Sequence, residues 1–411
     1  MTAIALKPMS DDELRAEVRA FLKEHWKGLP PRSDQWTVGP EQRAWQAKVV
    51  DARWAVNRWP VEWYGRGLAD RQAKIVEAEF AAVRAPGSGQ DRTHLYAITA
   101  FNFGTETMKA ALLQGMLTGD INMCLLYSEP GAGSDLAGVR TRAEADGGDY
   151  VVTGQKVWTS GAMTADYGML IARTDWDVPK HNGISFFFLP MKQPGVEVRP
   201  ITQPDGTAEF NEVFFDGARC PKENVVGGLN NGWKVANDTL GFERGMSATT
   251  GHRRFEEELR RMIDLATANG SIADPVVRQG LARYYTKIQI LRINGLRSLT
   301  QTLNGTKDMG VVALGLTNKM FWSEMHRDAM ELALDIFGAA SMLVDTAPES
   351  GSWPAVMRAK GRDSYRPSPM MSAFFFSRSE TIWGGTAEIQ RNIVGEKVLG
   401  LPREPKAPTA K

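Results

Sequence analysis

Cysteine is scarce: Cys124 and Cys220 are the only two in 411 residues. A disulfide scaffold is therefore not expected, and a reducing compartment suits the composition. Five histidines (His25, His94, His181, His252, His326) are scattered, and none stands at zinc-ligand spacing from either cysteine, so no metal site is expected. An excess of one charge is also missing, with 49 basic and 48 acidic residues and a net charge of +1. Without a long-range field, neither nucleic acid nor an anionic membrane is an expected partner. No uninterrupted apolar run is long enough to span a bilayer. The stretch Met1-Thr2-Ala3-Ile4-Ala5-Leu6-Lys7 has too short an apolar run for a signal peptide. A cytoplasmic location is the expectation.

What is present is ordinary for a globular chain: 43% hydrophobic and 24% charged residues, with length enough for two or three domains. Twelve tryptophans and seventeen phenylalanines supply core, interface or stacking surface for a flat cofactor. Ser10 and Glu13 make a capping box, followed by Leu14, Val18, Phe21 and Leu22 at helical spacing. Trp59 to Gly67 reads as a loop, and helical patterns return from Ala69 to Leu117.

From Asn122 the character changes. Tyr150–Thr153 and Lys156–Thr159 flank glycine, which predicts a hairpin turning at Gly154. Tyr167–Ala172, Ile184–Leu189, Val196–Ile201 and Ala208–Phe215 are further strand-sized runs. After Gly227-Gly228-Leu229-Asn230 the helical period resumes. Ala236, Leu240, Glu243 and Ser247 share one face, Val277, Leu281, Tyr284, Ile288 and Leu291 another, and a third helix is expected from Asn318 to Phe337. Asp345–Pro369 reads as an exposed linker. The expected organisation is an α+β multidomain fold. It has an N-terminal helical domain (1–121), a middle β-barrel or sandwich domain (122–228), a C-terminal helical bundle (229–401) and a tail (402–411).

Three segments carry chemistry. Tyr127-Ser128-Glu129-Pro130-Gly131-Ala132-Gly133-Ser134-Asp135 is a glycine-containing loop that lets backbone N–H groups approach a ligand; taken alone it equally suits a tight turn between strands. Leu136 stands where a dinucleotide fingerprint requires its third glycine. Gly154-Gln155-Lys156-Val157-Trp158-Thr159-Ser160-Gly161 ends a predicted strand with an indole and two hydroxyls, and a lone tryptophan there is equally a core residue. Trp383-Gly384-Gly385-Thr386-Ala387-Glu388-Ile389-Gln390-Arg391 is a glycine turn into a helix capped by Thr386. Its unsatisfied N–H groups suit a pyrophosphate.

In this order and at these separations the segments resemble the acyl-CoA dehydrogenase family of flavoenzymes, from about Trp59 to Leu401. The resemblance implies a helical, a β and a second helical domain, FAD as cofactor, an acyl-CoA substrate and an electron-transfer flavoprotein as acceptor. It implies that Leu125, Ser128, Gly133 and Ser134 line the flavin, with Ser134 also near substrate. It further implies that Trp158 covers the ring, that Thr159 and Ser160 bond to it, and that Thr386 and Glu388 touch FAD. Gly384 and Gly385 would face the acyl thioester.

Many family members carry the proton-abstracting carboxylate at the position of Gly384, where this chain has no side chain. The backbone N–H of Gly384 would still polarise the thioester carbonyl. A second family arrangement places the base on a helix just before an arginine, and here Leu240-Gly241-Phe242-Glu243-Arg244 occupies that place. Glu243 is thus the expected base, with Phe242 and Arg244 toward substrate. A structural ion pair of Glu243 with Arg244 is the alternative, and Glu380 is the rival base. Ala266 to Pro275 lacks the arginine that in homotetrameric relatives reaches a neighbour's FAD, and Asp335-Ile336-Phe337-Gly338-Ala339 departs from the family's pattern. A homotetramer, or a heterotetramer with a related subunit, follows from the resemblance. The expected reaction is α,β-dehydrogenation to a trans-2-enoyl-CoA. The alternatives are a flavin oxidase or monooxygenase on the same fold, or a non-catalytic flavin-binding subunit.

Overall fold

The computed structural model describes residues 9–29, 38–246, 251–304, 309–343 and 367–403. The chain divides into two compact units, one ending its main course at Glu243 and the other taking up from Arg244.

The first unit opens with α1 (Asp11–His25), where Ser10 and Glu13 form the reciprocal capping box expected of them. Helices α2 (Pro40–Asp51), α3 (Asp70–Ala82), α4 (Gln90–Thr93), α5 (Leu95–Phe103) and α6 (Glu106–Thr118) follow. The 3.6-residue period turns Leu14, Val18 and Leu22 toward Trp45, Val49, Val76 and Phe80, all buried in one core. The Trp59–Gly67 loop is anchored by Trp59, whose ring stacks on Phe101 at 4.1 Å.

Eight strands then build one sheet: β1 (Met123–Leu126), β2 (Arg142–Asp146), β3 (Asp149–Ser160), β4 (Tyr167–Arg173), β5 (Ile184–Pro190), β6 (Val196–Pro200), β7 (Phe210–Pro221) and β8 (Val225–Val226). They run in the order β6-β7-β3-β2-β4-β5-β8, with β1 parallel to β4. The hairpin expected at Gly154 does not form. Tyr150–Thr153 and Lys156–Thr159 are halves of the single strand β3, held by β2 and β7. The hairpin turn lies earlier, at Gly147–Gly148 between β2 and β3. Gly154 serves close approach instead, since a Cβ there would stand 2.5 Å from Thr141 Oγ1.

Helix α7 (Gly232–Met246) is seated on β5 by its first residue. A Cβ on Gly232 would meet the Ser185 carbonyl carbon at 2.4 Å and the Phe186 nitrogen at 2.6 Å. Asn230, just before it, donates its N–H to Ser185 Oγ at 2.7 Å and accepts from Thr174 Oγ1 at 2.6 Å. Gly232→Ala is therefore expected to cost about 1–3 kcal/mol through overpacking against backbone that has no side chain to move aside. A melting curve of the variant unchanged from wild type would contradict this seating.

The second unit is helical: α8 (His252–Ala268), α9 (Pro275–Asn304), α10 (Met309–Phe337), α11 (Pro369–Glu380) and α12 (Ala387–Lys397). Val277, Leu281, Tyr284, Ile288 and Leu291 are buried as one stripe, together with Phe255, Met262, Met325 and Ile336. The helix expected from Asn318 starts nine residues earlier, at Met309. Of the expected linker, residues 344–366 lie outside the described residues, and Pro369 opens α11; of the expected tail, residues 404–411 lie outside them. Inside this unit His326 bridges two carboxylates, Glu380 at 2.5 Å from Nδ1 and Glu258 at 3.2 Å from Nε2. Arg254 joins Glu380 at 3.1 Å, and the Tyr284 hydroxyl donates to Glu258 at 3.2 Å. One charged cluster thereby links α8, α9, α10 and α11.

Candidate active site

The loop after β1 starts where Ser128 accepts a hydrogen bond from Val157 N–H at 2.9 Å. The first and second chemical segments are thus joined backbone to backbone. Glu129 next turns inward. Its carboxylate accepts from Arg140 N–H at 2.7 Å, from Thr141 N–H at 2.9 Å and from the Lys156 ammonium at 2.8 Å. Between these feet Gly131, Gly133, Ser134 and Asp135 are exposed. A Cβ on Gly131 or Gly133 would meet nothing within 4 Å. Packing inside the chain does not demand glycine there, whereas a ligand approaching the backbone would. Asp135 is pinned by Lys180 at 2.6 Å and 2.7 Å. Leu125 is half-buried in β1, in register with Met169 of β4.

At the end of β3 the ladder to β7 shifts register between Lys156 and Thr159. Trp158 sits in this bulge with φ of +62° and its indole 61% exposed. A left-handed conformation is costly for a residue bearing a Cβ, and such strain gathers at functional sites. A broad apolar ring offered to solvent beside the half-buried Ser160 suits the face of a flat cofactor. Thr159 and Ser160 are consecutive in a strand, so they point to opposite faces. Thr159 is buried, in register with Asn211 of β7, and neither its hydroxyl nor the Asn211 amide has a hydrogen-bond partner among the described residues.

In the second unit, Gly384 (φ +67°) and Gly385 (φ +92°) form a left-handed turn into α12. Thr386 caps that helix, accepting from Ile389 N–H at 3.1 Å. Lys319 of α10 donates to the Gly385 carbonyl at 2.9 Å, and Gln390 to the Gly384 carbonyl at 3.3 Å. A Cβ on Gly384 would meet only Lys319 Cε, at 3.7 Å. Space for a side chain exists at 384, and it is the positive φ that disfavours one. Burial pushes the Lys319 ammonium below its usual range against the pull of Glu380 and Glu388. Glu388 is exposed and held below the usual carboxylate range by its own backbone N–H, the Thr386 hydroxyl and Arg391.

Along α7, position 243 lies seven residues after buried Ala236 and four after buried Thr239, on the same helical face. The side chains of Glu243 and Arg244 lie outside the described residues. Phe242 is half-buried against the N-terminal core. Together with Gly241, Asp238 and Asn237 it lines an open cleft of about 550 Å³ against Asn102 and Phe103, on the other side of the helix from position 243. The rival base, Glu380, is fully buried, with its two oxygens engaged by Arg254 and His326. That leaves it a structural ion-pair partner.

Sequence reasoning overlooked Lys156, Glu129, Lys319, Gln390 and Asn211 as elements of these surfaces. Only Lys156 left a trace: it continues the inward period of Tyr150 and Val152, an unusual place for an ammonium.

Comparison with known proteins gives the family. The chain matches the models for the acyl-CoA dehydrogenase N-terminal domain over residues 9–120, the middle domain over 124–218 and the C-terminal domain over 230–399. It is 37% identical to acyl-CoA dehydrogenase IpdE1 of Mycobacterium tuberculosis, covering 96% of this chain and 99% of that one. The chain belongs to the acyl-CoA dehydrogenase family. It is also similar to acyl-CoA dehydrogenase FadE26 of Mycobacterium tuberculosis, at 31% identity over 95% of this chain and 97% of the relative. Among solved structures it resembles the steroid ACAD Tcur3481-Tcur3483, with a TM-score of 0.71, 30% identity and coverage of 97% of this chain and 100% of the other. It likewise resembles the ChsE4-ChsE5 complex from Mycobacterium tuberculosis, with a TM-score of 0.67, 29% identity and coverage of 98% and 100%. As an acyl-CoA dehydrogenase the protein is an oxidoreductase of a flavoprotein family, and members of that family depend on FAD. Among the described residues no helix is long and apolar enough to cross a membrane.

Proposed function

We propose that the protein catalyses α,β-dehydrogenation of an acyl-CoA thioester to the trans-2-enoyl-CoA, with Glu243 as general base. One observation carries this reading: position 243 falls on the buried stripe of α7 with Ala236 and Thr239, while Gly384 bears no carboxylate. A carboxylate that works as a general base must be shielded from water. Arg244, next in the chain, supplies a charge to orient substrate.

The exposed indole of Trp158, the open glycine loop and the capped N-terminus of α12 are surfaces of the kind FAD requires. Ser128, Gly133, Ser134, Trp158, Thr159 and Ser160 in the first unit, and Thr386 and Glu388 in the second, are the residues proposed to hold it. FAD supplies the hydride acceptor. Of the chain's own residues, Glu243 removes the proton and the Gly384 N–H polarises the carbonyl. An electron-transfer flavoprotein would be the acceptor of the electrons.

The similarity to structures described as a steroid ACAD and as a two-component complex supports a bulky acyl group as substrate and a related second subunit as partner. The test is anaerobic titration of the assembled protein with a panel of straight, branched and steroid-derived acyl-CoAs. Bleaching of the flavin by a bulky member of the panel is expected. No bleaching by any acyl-CoA would refute the reading, and rapid air reoxidation with peroxide would make the protein an oxidase. The bare Gly384 favours one other possibility, a flavin-binding subunit whose partner carries the chemistry.

A further inference from the structure

We propose that the Lys156–Glu129 ion pair is the positioning element of the flavin-facing surface in the first unit, holding Ser128, the Gly131–Asp135 loop and Trp158–Ser160 in one arrangement. The inference rests on the reading of these segments as part of the FAD site.

Lys156 is fully buried and Glu129 nearly so. The ammonium donates to Glu129 Oε1 at 2.8 Å and to the Tyr127 carbonyl at 3.0 Å. Glu129 also accepts the N–H groups of Arg140 and Thr141. The start of the loop, its far end and β3 therefore converge on one carboxylate. Two residues after Lys156 comes Trp158, and the intervening Val157 N–H holds Ser128. From β4, Arg173 donates to the carbonyls of Ala137 and Val139 at 2.7 Å and 3.2 Å, fixing the remainder of the loop. Among the described residues no other ion pair joins the first and second chemical segments.

Stability does not explain this pair. Two charges taken out of water lose about as much as they regain, and apolar residues of equal volume often serve as well or better. Apolar residues would fill the volume without drawing three backbone groups, the Tyr127 carbonyl and the Arg140 and Thr141 N–H, to one point. Charge-assisted hydrogen bonds are directional, and direction is what a surface assembled from a loop and a strand end requires. Burial pushes the Lys156 ammonium down to about 8 against the attraction of Glu129. Burial also raises the Glu129 carboxyl, and Lys156 with the two amides outweighs it and holds the group below its usual range.

The experiment measures the FAD dissociation constant and the visible circular dichroism of bound flavin, using the assembled protein with any co-purifying subunit. Lys156→Met is expected to weaken FAD binding at least tenfold and to alter the flavin dichroism, with Lys156→Arg recovering part of both. Glu129→Gln, which keeps the shape, should move both in the same direction, and it carries the comparison if Lys156→Met does not fold. Wild-type affinity and dichroism in Lys156→Met and Glu129→Gln, whatever their melting temperatures, would overturn the inference and leave the FAD reading standing. A wild-type protein that takes up no FAD would overturn both.

Discussion

Glutamine in place of Glu243 is expected to slow reduction of the flavin by acyl-CoA by about 10²–10⁴-fold, the range set by loss of a positioned general base. The exchange keeps the volume and shape of the side chain and removes its charge and its ability to take a proton. FAD content should stay at the wild-type level, because Glu243 is not among the residues proposed to hold the cofactor. Helix α7 should also persist, since its seating depends on Gly232 against Ser185 and Phe186 at the other end. The measurement is stopped-flow bleaching of the flavin under anaerobic conditions, with FAD stoichiometry determined on the same sample. Unchanged bleaching would remove Glu243 from the chemistry and favour the partner-subunit alternative. Glu380→Gln separates the two carboxylates: it should destabilise the second unit while leaving the bleaching rate of the folded protein near wild type, because that carboxylate is committed to His326 and Arg254.

His326→Ala is expected to destabilise the protein by about 3–5 kcal/mol, the usual consequence of removing one partner from a buried ion pair. Without the imidazole, Glu258 and Glu380 face each other inside the helical unit with, among the described residues, Arg254 and the Tyr284 hydroxyl as their remaining partners. The wild type should also show a matching pH dependence. Burial acts to lower the His326 pKa, but hydrogen bonds and attraction from Glu258 and Glu380 prevail and raise it from 6.5 to about 9. A folded-state pKa above the unfolded one means that the stabilisation is fully present below about pH 6.5 and is lost as pH rises through about 9. The two values correspond to a loss on the order of 3 kcal/mol. Melting temperatures measured from pH 6 to pH 10 should fall across that window in wild type and lose that slope in His326→Ala. Parallel curves for the two proteins would show that the cluster does not carry this linkage.

Legibility followed locality. The capping box at Ser10 and Glu13, the Thr386 cap and the buried stripe from Val277 to Leu291 were readable because each depends on residues three or four apart on one helix. The strands at Tyr167, Ile184 and Val196 were readable from short apolar runs between turn residues. Gly154 misled because glycine marks both a turn and a close approach. Only the presence of Thr141 at 2.5 Å from the missing Cβ distinguishes the two. The periodicity places the start of α10 nine residues late because its first turns, Met309 to Thr317, are apolar on every side and hold two glycines, so no one face marks a helix.

The candidate site divides in the same way. The three chemical segments are contiguous strings, so their residue types and the family they mark were visible without coordinates. Lys156, Glu129, Lys319 and the His326 cluster were not, because each matters through a partner 27 to 68 residues away in the chain.

By itself, the order of residues in this chain determined the family, the succession of helices, strands and helices, and the absence of a carboxylate at position 384, since these are properties of local strings and of which side chains exist. Tertiary structure alone decided that β3 is one strand, that Trp158 is turned outward in a bulge, and that Glu380 is occupied by His326. Those outcomes are set by contacts between distant segments, where hydrogen bonding and desolvation, not local propensity, select the arrangement.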